Sequence, residues 1–161
     1  MSVAAGIAQP ATLTFVPLDL ESTCLSAALA ESGLDARRPA FFSWVGMVPY
    51  LTIEAFRATL ATVGGLPRGS GIVFDTVDSP ETLTPPRRKV FNGLAKRLAA
   101  AGEPLRLFLS PQQLQHELRS AGFDRIEHAG IERLNEIYFD NRADGLRLSP
   151  SGVGTLVSAW V

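Results

Sequence analysis

Acidic side chains at the predicted ends of strands are the best-placed ligand-binding groups in this sequence. Asp19 ends the predicted strand 12–20, and Asp75 lies near the end of the predicted strand 72–77. In open α/β sheets, ligands bind beyond the carboxyl ends of the strands. Asp19 can accept a hydrogen bond from a ligand amine, and the backbone N–H of Leu20 can donate beside it. Spacing alone nevertheless favours structural roles, with Asp19 starting the cap of the next helix and Asp75 closing a strand-end turn.

The other reactive side chains lack the partners that catalysis or metal binding requires. His116 is predicted in mid-helix and His128 in a short strand, and neither has a second ligand at metal spacing, so no metal site is expected. Cys24 lies near a helix start, a position that can lower a thiol pKa. Because no partnered histidine is evident, a small packed thiol is the preferred interpretation. No G-x-S-x-G elbow is present, and the catalytic residues stay unassigned.

Three further patterns are interpreted as structural. Gly152 and Gly154 precede a strand instead of following one, which indicates a turn and not a dinucleotide-binding loop. The basic cluster 87–89 starts a helix after a proline-rich loop and is interpreted as a solvated face. Trp44 and Tyr50 can wall a pocket, although core packing explains a lone aromatic residue more often.

Alternating strand and helix patterns position these residues. Strands are predicted at residues 12–20, 40–45, 72–77, 123–130 and 154–161. Helices are predicted at residues 23–32, 53–63, 86–101, 110–122 and 131–139. The apolar run 72–77 is typical of a strand buried on both faces, as in a parallel sheet. The alternation predicts an α/β fold with a layered sheet.

Helix boundaries carry recognisable signals. Ser22 or Thr23 is expected to cap the first helix, and Gly33 to stop it. Thr52 is expected to cap the second. Ser110, followed by Pro111 and by Gln113, predicts a capping box.

Composition restricts the classes of protein that this chain can represent. Its 161 residues favour one domain, and 46% apolar with 19% charged residues is typical of a globular protein. A net charge of −1 gives no electrostatic reason to expect a nucleic-acid or membrane partner. Cys24 is the single cysteine, no apolar run is long enough to span a bilayer, and the N-terminus lacks the basic start of a signal peptide. A soluble, cytoplasmic protein is expected.

The order of several segments resembles one enzyme family. FVPLDLE (15–21) is followed by LAESGLDARRPAFFSWVGMVPYLT (29–52) and GSGIVFDTV (69–77). AAAGEPLRLFLSPQQLQHELRSAGF (99–123) and LNEIYFDNRADGLRLSPSGVGTLVSAWV (134–161) come next. In this order they resemble the S-adenosylmethionine-dependent methyltransferases of the leucine carboxyl methyltransferase-like family, in its bacterial branch. Nearly the whole chain, from about Gly6 to Val161, takes part in the resemblance.

The resemblance implies a fold, a cofactor and a reaction. The fold is the Rossmann-like class I methyltransferase fold, a mostly parallel sheet with helices on both faces. S-adenosyl-L-methionine would lie across the strand ends and give its methyl group to an oxygen of a small-molecule substrate, a carboxylate in the name-giving case. Asp19 and Leu20 match the pair that contacts the adenine in the family. Tyr50 and Arg142 lie in segments expected to face the acceptor.

The sequence also departs from the family in two ways. Val45 stands where an acidic residue usually follows the tryptophan, and Pro49 replaces a residue that is often methionine. Family members also carry an N-terminal half with a glycine-rich turn and a ribose-binding acid, so residues 1–161 are expected to be the C-terminal portion of a methyltransferase domain, without its first two strands. Such a chain would expose a sheet edge for self-association or complementation. The alternative is a catalytically dead remnant that binds no cofactor.

Overall fold

The structure, a computed structural model, describes residues 10–161. Its strands are β1 (Phe41–Trp44), β2 (Gly71–Val77), β3 (Arg125–Ala129) and β4 (Gly154–Trp160), arranged in one sheet in the order β1-β2-β4-β3. Its α-helices are α1 (Leu25–Glu31), α2 (Ile53–Gly64), α3 (Pro85–Ala100), α4 (Pro111–Ser120) and α5 (Ile131–Leu134). Short 3₁₀ turns lie at Val48–Tyr50 and Pro80–Thr82, and a π-helical turn at Asn135–Phe139 continues α5.

The sheet is mixed in its strand directions. β1 and β2 are parallel, with Phe41 opposite Gly71, whereas β4 runs antiparallel to both β2 and β3. The α/β class is therefore confirmed, and β2 is an interior strand as its apolar run predicts. The parallel pairing expected from that run is found with β1, whereas the pairing of β2 with β4 is antiparallel. Burial on both faces makes a strand apolar whichever way its second neighbour runs, so the pattern cannot determine that direction.

Aromatic packing joins one face of the sheet to α2. Phe56 of α2 and Phe74 of β2 are fully buried, and their rings lie 5.7 Å apart in an edge-to-face arrangement. Trp44 at the end of β1 stacks on Phe56 with the ring centroids 5.9 Å apart. Leu114 and Leu118 of α4 complete this core. Burying each such side chain contributes about 1.5–3 kcal/mol, so β1 and α2 have a fixed relative position.

Helical segments also cover the opposite face. Leu134 of α5 and Tyr138 of the π-helical turn line a cavity of about 210 Å³ together with Val73 and Ser158, which are paired across β2 and β4. Beyond the end of β2, Phe91 of α3 packs in a second apolar cluster. The expectation of helices on both faces is therefore confirmed.

The predicted strand 12–20 is wrong. This segment has no regular secondary structure, and Leu13, Phe15 and Val16 are 44%, 66% and 38% exposed. A strand needs a neighbouring strand to accept and donate its ladder hydrogen bonds, and none of the described strands pairs with these residues. β1 is instead the edge of the described sheet, because β2 is its single described neighbour.

Most helix signals work as expected. The Thr52 side chain accepts from Ala55 N–H at the start of α2, and the capping box at Ser110 is complete. The first helix starts later than predicted: its N-cap is Cys24, which makes no side-chain capping bond. Gly33 follows α1 with φ +93°, a left-handed conformation that suits glycine.

Candidate functional site

The carboxyl end of β1 turns sharply beside β2. Gly46 has φ +80°, and its N–H donates a short hydrogen bond to the Asp75 carboxylate of β2. The side chain of Asp75 is half-buried. The prediction of a turn residue at the end of its own strand is therefore wrong: Asp75 lies inside β2, opposite Leu156 of β4, and the turn that its side chain fixes is the one after β1, 29 residues away in the sequence.

A cavity of about 770 Å³ opens beside this turn. Its lining residues are Gly46, Tyr50, Gly102, Glu103, Pro104 and Arg106. The loop that follows α3 is held in place because the Pro49 carbonyl accepts from the N–H groups of Arg106 and Leu107, at 2.7 and 3.1 Å. The cavity therefore carries one acidic and one basic side chain, on a loop fixed to the 3₁₀ turn that holds Tyr50.

Asp19 closes a turn before α1. Its Oδ1 accepts from Glu21 N–H at 3.0 Å, its Oδ2 accepts from the Ser22 hydroxyl at 2.7 Å, and its backbone carbonyl accepts from Thr23 N–H at 2.8 Å. The Ser22 hydroxyl, followed by Glu21 N–H, lowers the pKa of Asp19, so its carboxylate is charged at neutral pH. Each carboxylate oxygen has a second lone pair, and the residue is exposed. Asp19 can therefore still accept from a ligand amine.

Leu20 lies between this turn and the core. Its side chain is partly buried against the main apolar cluster. Among residues 10–161, no acceptor is found for its backbone N–H. An acceptor at Asp19 and a donor at Leu20 thus lie next to each other, although no strand carries them.

Glu21 connects this turn to the domain. Its two carboxylate oxygens accept from the N–H and the hydroxyl of Thr52, both at 2.8 Å, at the start of α2. Arg106 of the cavity lies 3.6 Å from the same carboxylate. The Asp19–Leu20 pair is therefore held on the side of the domain where the cavity opens.

The two predicted acceptor residues do not line this cavity together. Tyr50 does. Arg142 lies in the loop before β4, is ion-paired with Asp144 through nitrogen–oxygen distances of 2.9 and 2.6 Å, and stacks over Phe139. Sequence reasoning missed Glu21 and Arg106, although the first stands in the FVPLDLE segment that carries the resemblance.

The basic cluster 87–89 is only partly a solvated face. Arg87 is ion-paired with Asp78 at 2.6 Å and donates to the Gly152 carbonyl at 2.9 Å. Thr155 donates to the other oxygen of Asp78 at 3.0 Å. The expectation is therefore wrong for Arg87, because its partners at the end of β2 and in the turn before β4 are remote in sequence.

The remaining candidates occupy unremarkable positions. Cys24 is exposed, so the expected packing is wrong, and the Ser26 hydroxyl, more than the Ala27 N–H, lowers its pKa. His116 and His128 are exposed, and residues 10–161 contain no group of three side chains able to hold a metal ion. Gly152 forms the predicted turn. None of the helices in this part of the chain is both long and apolar enough to cross a membrane.

Comparison with known proteins adds a family to this geometry. The leucine carboxyl methyltransferase family matches residues 3–64. YktD of Bacillus subtilis strain 168, named a candidate S-adenosyl-L-methionine-dependent methyltransferase, is 31% identical over 143 residues, which is 88% of this chain and 47% of YktD. The resemblance to the leucine carboxyl methyltransferase-like family is confirmed. The chain spans about half the length of this curated relative.

Solved structures show the same fold. A DUF574 family protein of Streptomyces avermitilis matches with a TM-score of 0.54 and 18% identity, covering 89% of this chain and 53% of its own. A protein of Thermobifida fusca, named a candidate methyltransferase, matches with a TM-score of 0.52 and 17% identity, covering 81% and 46%. The class I methyltransferase fold predicted from the sequence is thus confirmed.

Proposed function

We propose that this chain forms part of an S-adenosyl-L-methionine-dependent O-methyltransferase whose acceptor is a carboxylate or another oxygen of a small molecule. One observation carries the proposal. Glu21, next to the Asp19–Leu20 pair, accepts two hydrogen bonds from Thr52 at the start of α2, beside a cavity at the carboxyl end of β1. That is where ligands bind in open α/β sheets. The single cysteine of the chain agrees with a reducing, cytoplasmic setting.

The adenine end of the cofactor is assigned to Asp19 and Leu20. The Asp19 carboxylate has lone pairs that would accept from the exocyclic amine of the adenine, and the Leu20 N–H would donate to a ring nitrogen. When bound, the cofactor supplies an electrophilic methyl group. A carboxylate acceptor is already a nucleophile at neutral pH, so the protein needs to orient it and exclude water more than to remove a proton. No side chain is therefore assigned as a general base.

The acceptor is assigned to the cavity side of the site. Tyr50 lines the cavity and offers a hydroxyl and an aromatic face. Arg142 donates to Asp144 through Nε and one terminal nitrogen, so its other terminal nitrogen is proposed to donate to an acceptor carboxylate. The small molecule is proposed to enter beside Tyr50.

The β1 edge of the described sheet is a candidate surface for pairing with another chain. Within residues 10–161, β1 has β2 as its single neighbour, and Phe41 is 56% exposed. Exposed edges with apolar side chains favour pairing with another chain. Complementation or self-association through the β1 edge is therefore part of the proposal.

A remnant that binds no cofactor is the second candidate. The observation that favours it is Val45, which is 56% exposed at the end of β1 and offers no polar group where the family usually has an acid. An absent polar contact to a bound ligand lowers affinity roughly ten- to a hundred-fold. Steady transfer of a radiolabelled methyl group by the chain alone would exclude this candidate.

Calorimetric titration with S-adenosylhomocysteine decides between the two. Micromolar binding by the chain, lost in Asp19→Ala and reduced in Asp19→Asn, supports the proposal. Asp35→Ala is the matched control, because Asp35 also accepts from the N–H two residues later, at 3.0 Å, in an exposed turn. Absence of heat with a folded chain refutes cofactor binding, and equal losses in the two alanine variants refute the assignment of Asp19.

A further inference from the structure

The Glu21 carboxylate makes a two-point contact with one residue. Oε1 accepts from the Thr52 N–H and Oε2 accepts from the Thr52 hydroxyl, each at 2.8 Å. Thr52 is the N-cap of α2, whose first turn presents a positive end of the helix dipole. The pKa of Glu21 is lowered, first by the Thr52 N–H and then by its hydroxyl. A charged carboxylate is therefore seated at a helix start that favours it.

The turn next to Glu21 depends on contacts within itself. The hydrogen bonds of Asp19 run to Glu21, Ser22 and Thr23, all within four residues. Residues 14–18 belong to none of the described strands. The side chain of Leu20 packs against the main apolar cluster, and α1, which follows the turn, packs against α2. Apolar contacts have no preferred direction, so the two hydrogen bonds of Glu21 orient the turn relative to the N-terminus of α2.

We propose that Glu21 is a positioning residue, whose carboxylate fastens the Asp19–Leu20 pair to the N-terminus of α2 and so sets where the adenine of a bound ligand lies relative to the cavity. This inference rests on the proposed function for its ligand, but not for its structural part. Arg106 contributes a weaker contact, since its guanidinium lies 3.6 Å from Oε1 and lines the cavity. Glu21 thereby joins the adenine side to the acceptor side of one site.

The contact is strongest with a carboxylate of this length. Thr52 donates through its N–H and its hydroxyl, each to one charged oxygen of Glu21. A glutamine can keep both contacts, because its amide oxygen accepts from the N–H and its amide nitrogen can donate to the hydroxyl, but neither bond then involves a charged group. Glu21→Gln should therefore weaken the two bonds, and Glu21→Ala should remove them. Glu31→Ala is the matched control, because it removes an exposed glutamate from the end of α1, the helix that follows the turn, with the same change in net charge.

The first measurement is made without any ligand. Backbone order parameters of Asp19 and Leu20 are measured by NMR in the full chain and its variants. We expect about 0.85 in the wild type and in Glu31→Ala, and below about 0.6 in Glu21→Ala, with Glu21→Gln between them. Unchanged order parameters in Glu21→Ala would overturn the proposal, whatever the chain binds.

The second measurement is the calorimetric affinity for S-adenosylhomocysteine. We expect Glu21→Ala to bind about tenfold more weakly, since charged hydrogen bonds of this kind are each worth a severalfold change or more. Loosened residues with unchanged affinity would refute the positioning role. A wild type that binds no S-adenosylhomocysteine would instead refute the proposed function, and the order parameters alone would then decide whether Glu21 fastens this segment.

Discussion

Removing the Thr52 hydroxyl tests the link between helix capping and ligand binding. In Thr52→Ala, α2 loses the side-chain acceptor for Ala55 N–H at 3.2 Å, and Glu21 loses one of its two donors. Loss of an N-cap oxygen costs about 1 kcal/mol of stability. The remaining Thr52 N–H still donates to Glu21, so the segment is weakened and not released. A single lost hydrogen bond predicts about two- to tenfold weaker binding of S-adenosylhomocysteine.

Ser110→Ala is the matched control for this prediction. Ser110 caps α4 through its hydroxyl, which accepts from Gln113 N–H at 3.3 Å, so its loss also costs about 1 kcal/mol. The residue makes no described contact with the turn 19–23. Urea unfolding should give the two variants similar free energies of unfolding, with an unchanged dependence on urea concentration. Calorimetry should then show weaker binding for Thr52→Ala alone, and equal affinities in the two variants would refute the reasoning.

Three further outcomes are expected. Val45→Glu should raise the affinity for S-adenosylhomocysteine roughly ten- to a hundred-fold in calorimetry, because the exposed position at the end of β1 has room for a carboxylate. An unchanged affinity would show that the residue at position 45 makes no contact with the ligand. Gly64→Ala should destabilise the chain by more than about 3 kcal/mol in urea unfolding, because the new Cβ would lie 1.8 Å from the Ala121 carbonyl oxygen. Gly93→Ala, in the exposed middle of α3, should instead stabilise the chain by about 0.5–1 kcal/mol. Similar effects of the two substitutions would contradict the packing at Gly64. The lowered pKa of Glu21 predicts a contribution to stability that is complete above its ordinary value of 4.5 and is lost as the pH falls through the folded-state pKa. The free energy of unfolding of Glu21→Ala should therefore fall less between pH 6 and pH 3 than that of the wild type. Identical pH profiles would argue against the Thr52 contact.

Local signals in the sequence determine most of the helices and strands. Ser110 and Gln113 predict the start of α4 because a capping box uses side chains only three residues apart, and the structure has it. The apolar run 72–77 predicts the buried strand β2 because a strand covered on both faces needs no polar alternation. The family resemblance and the Asp19–Leu20 pair also came from the sequence, since ordered segments identify a fold without its coordinates.

Tertiary structure alone decided how these pieces meet. The segment 12–20 has the composition of a strand, but composition cannot supply the neighbour that a strand needs, and the described sheet offers none. From the sequence, Arg87 is predicted to be one of three solvated cations, but in the folded chain it contacts Asp78 and Gly152. Glu21 is one acid among sixteen acidic residues in the sequence, and its two bonds to Thr52 span 31 positions. Long-range hydrogen bonds leave no periodic pattern in a single sequence, which is why the structure was needed to connect Glu21 to the candidate site.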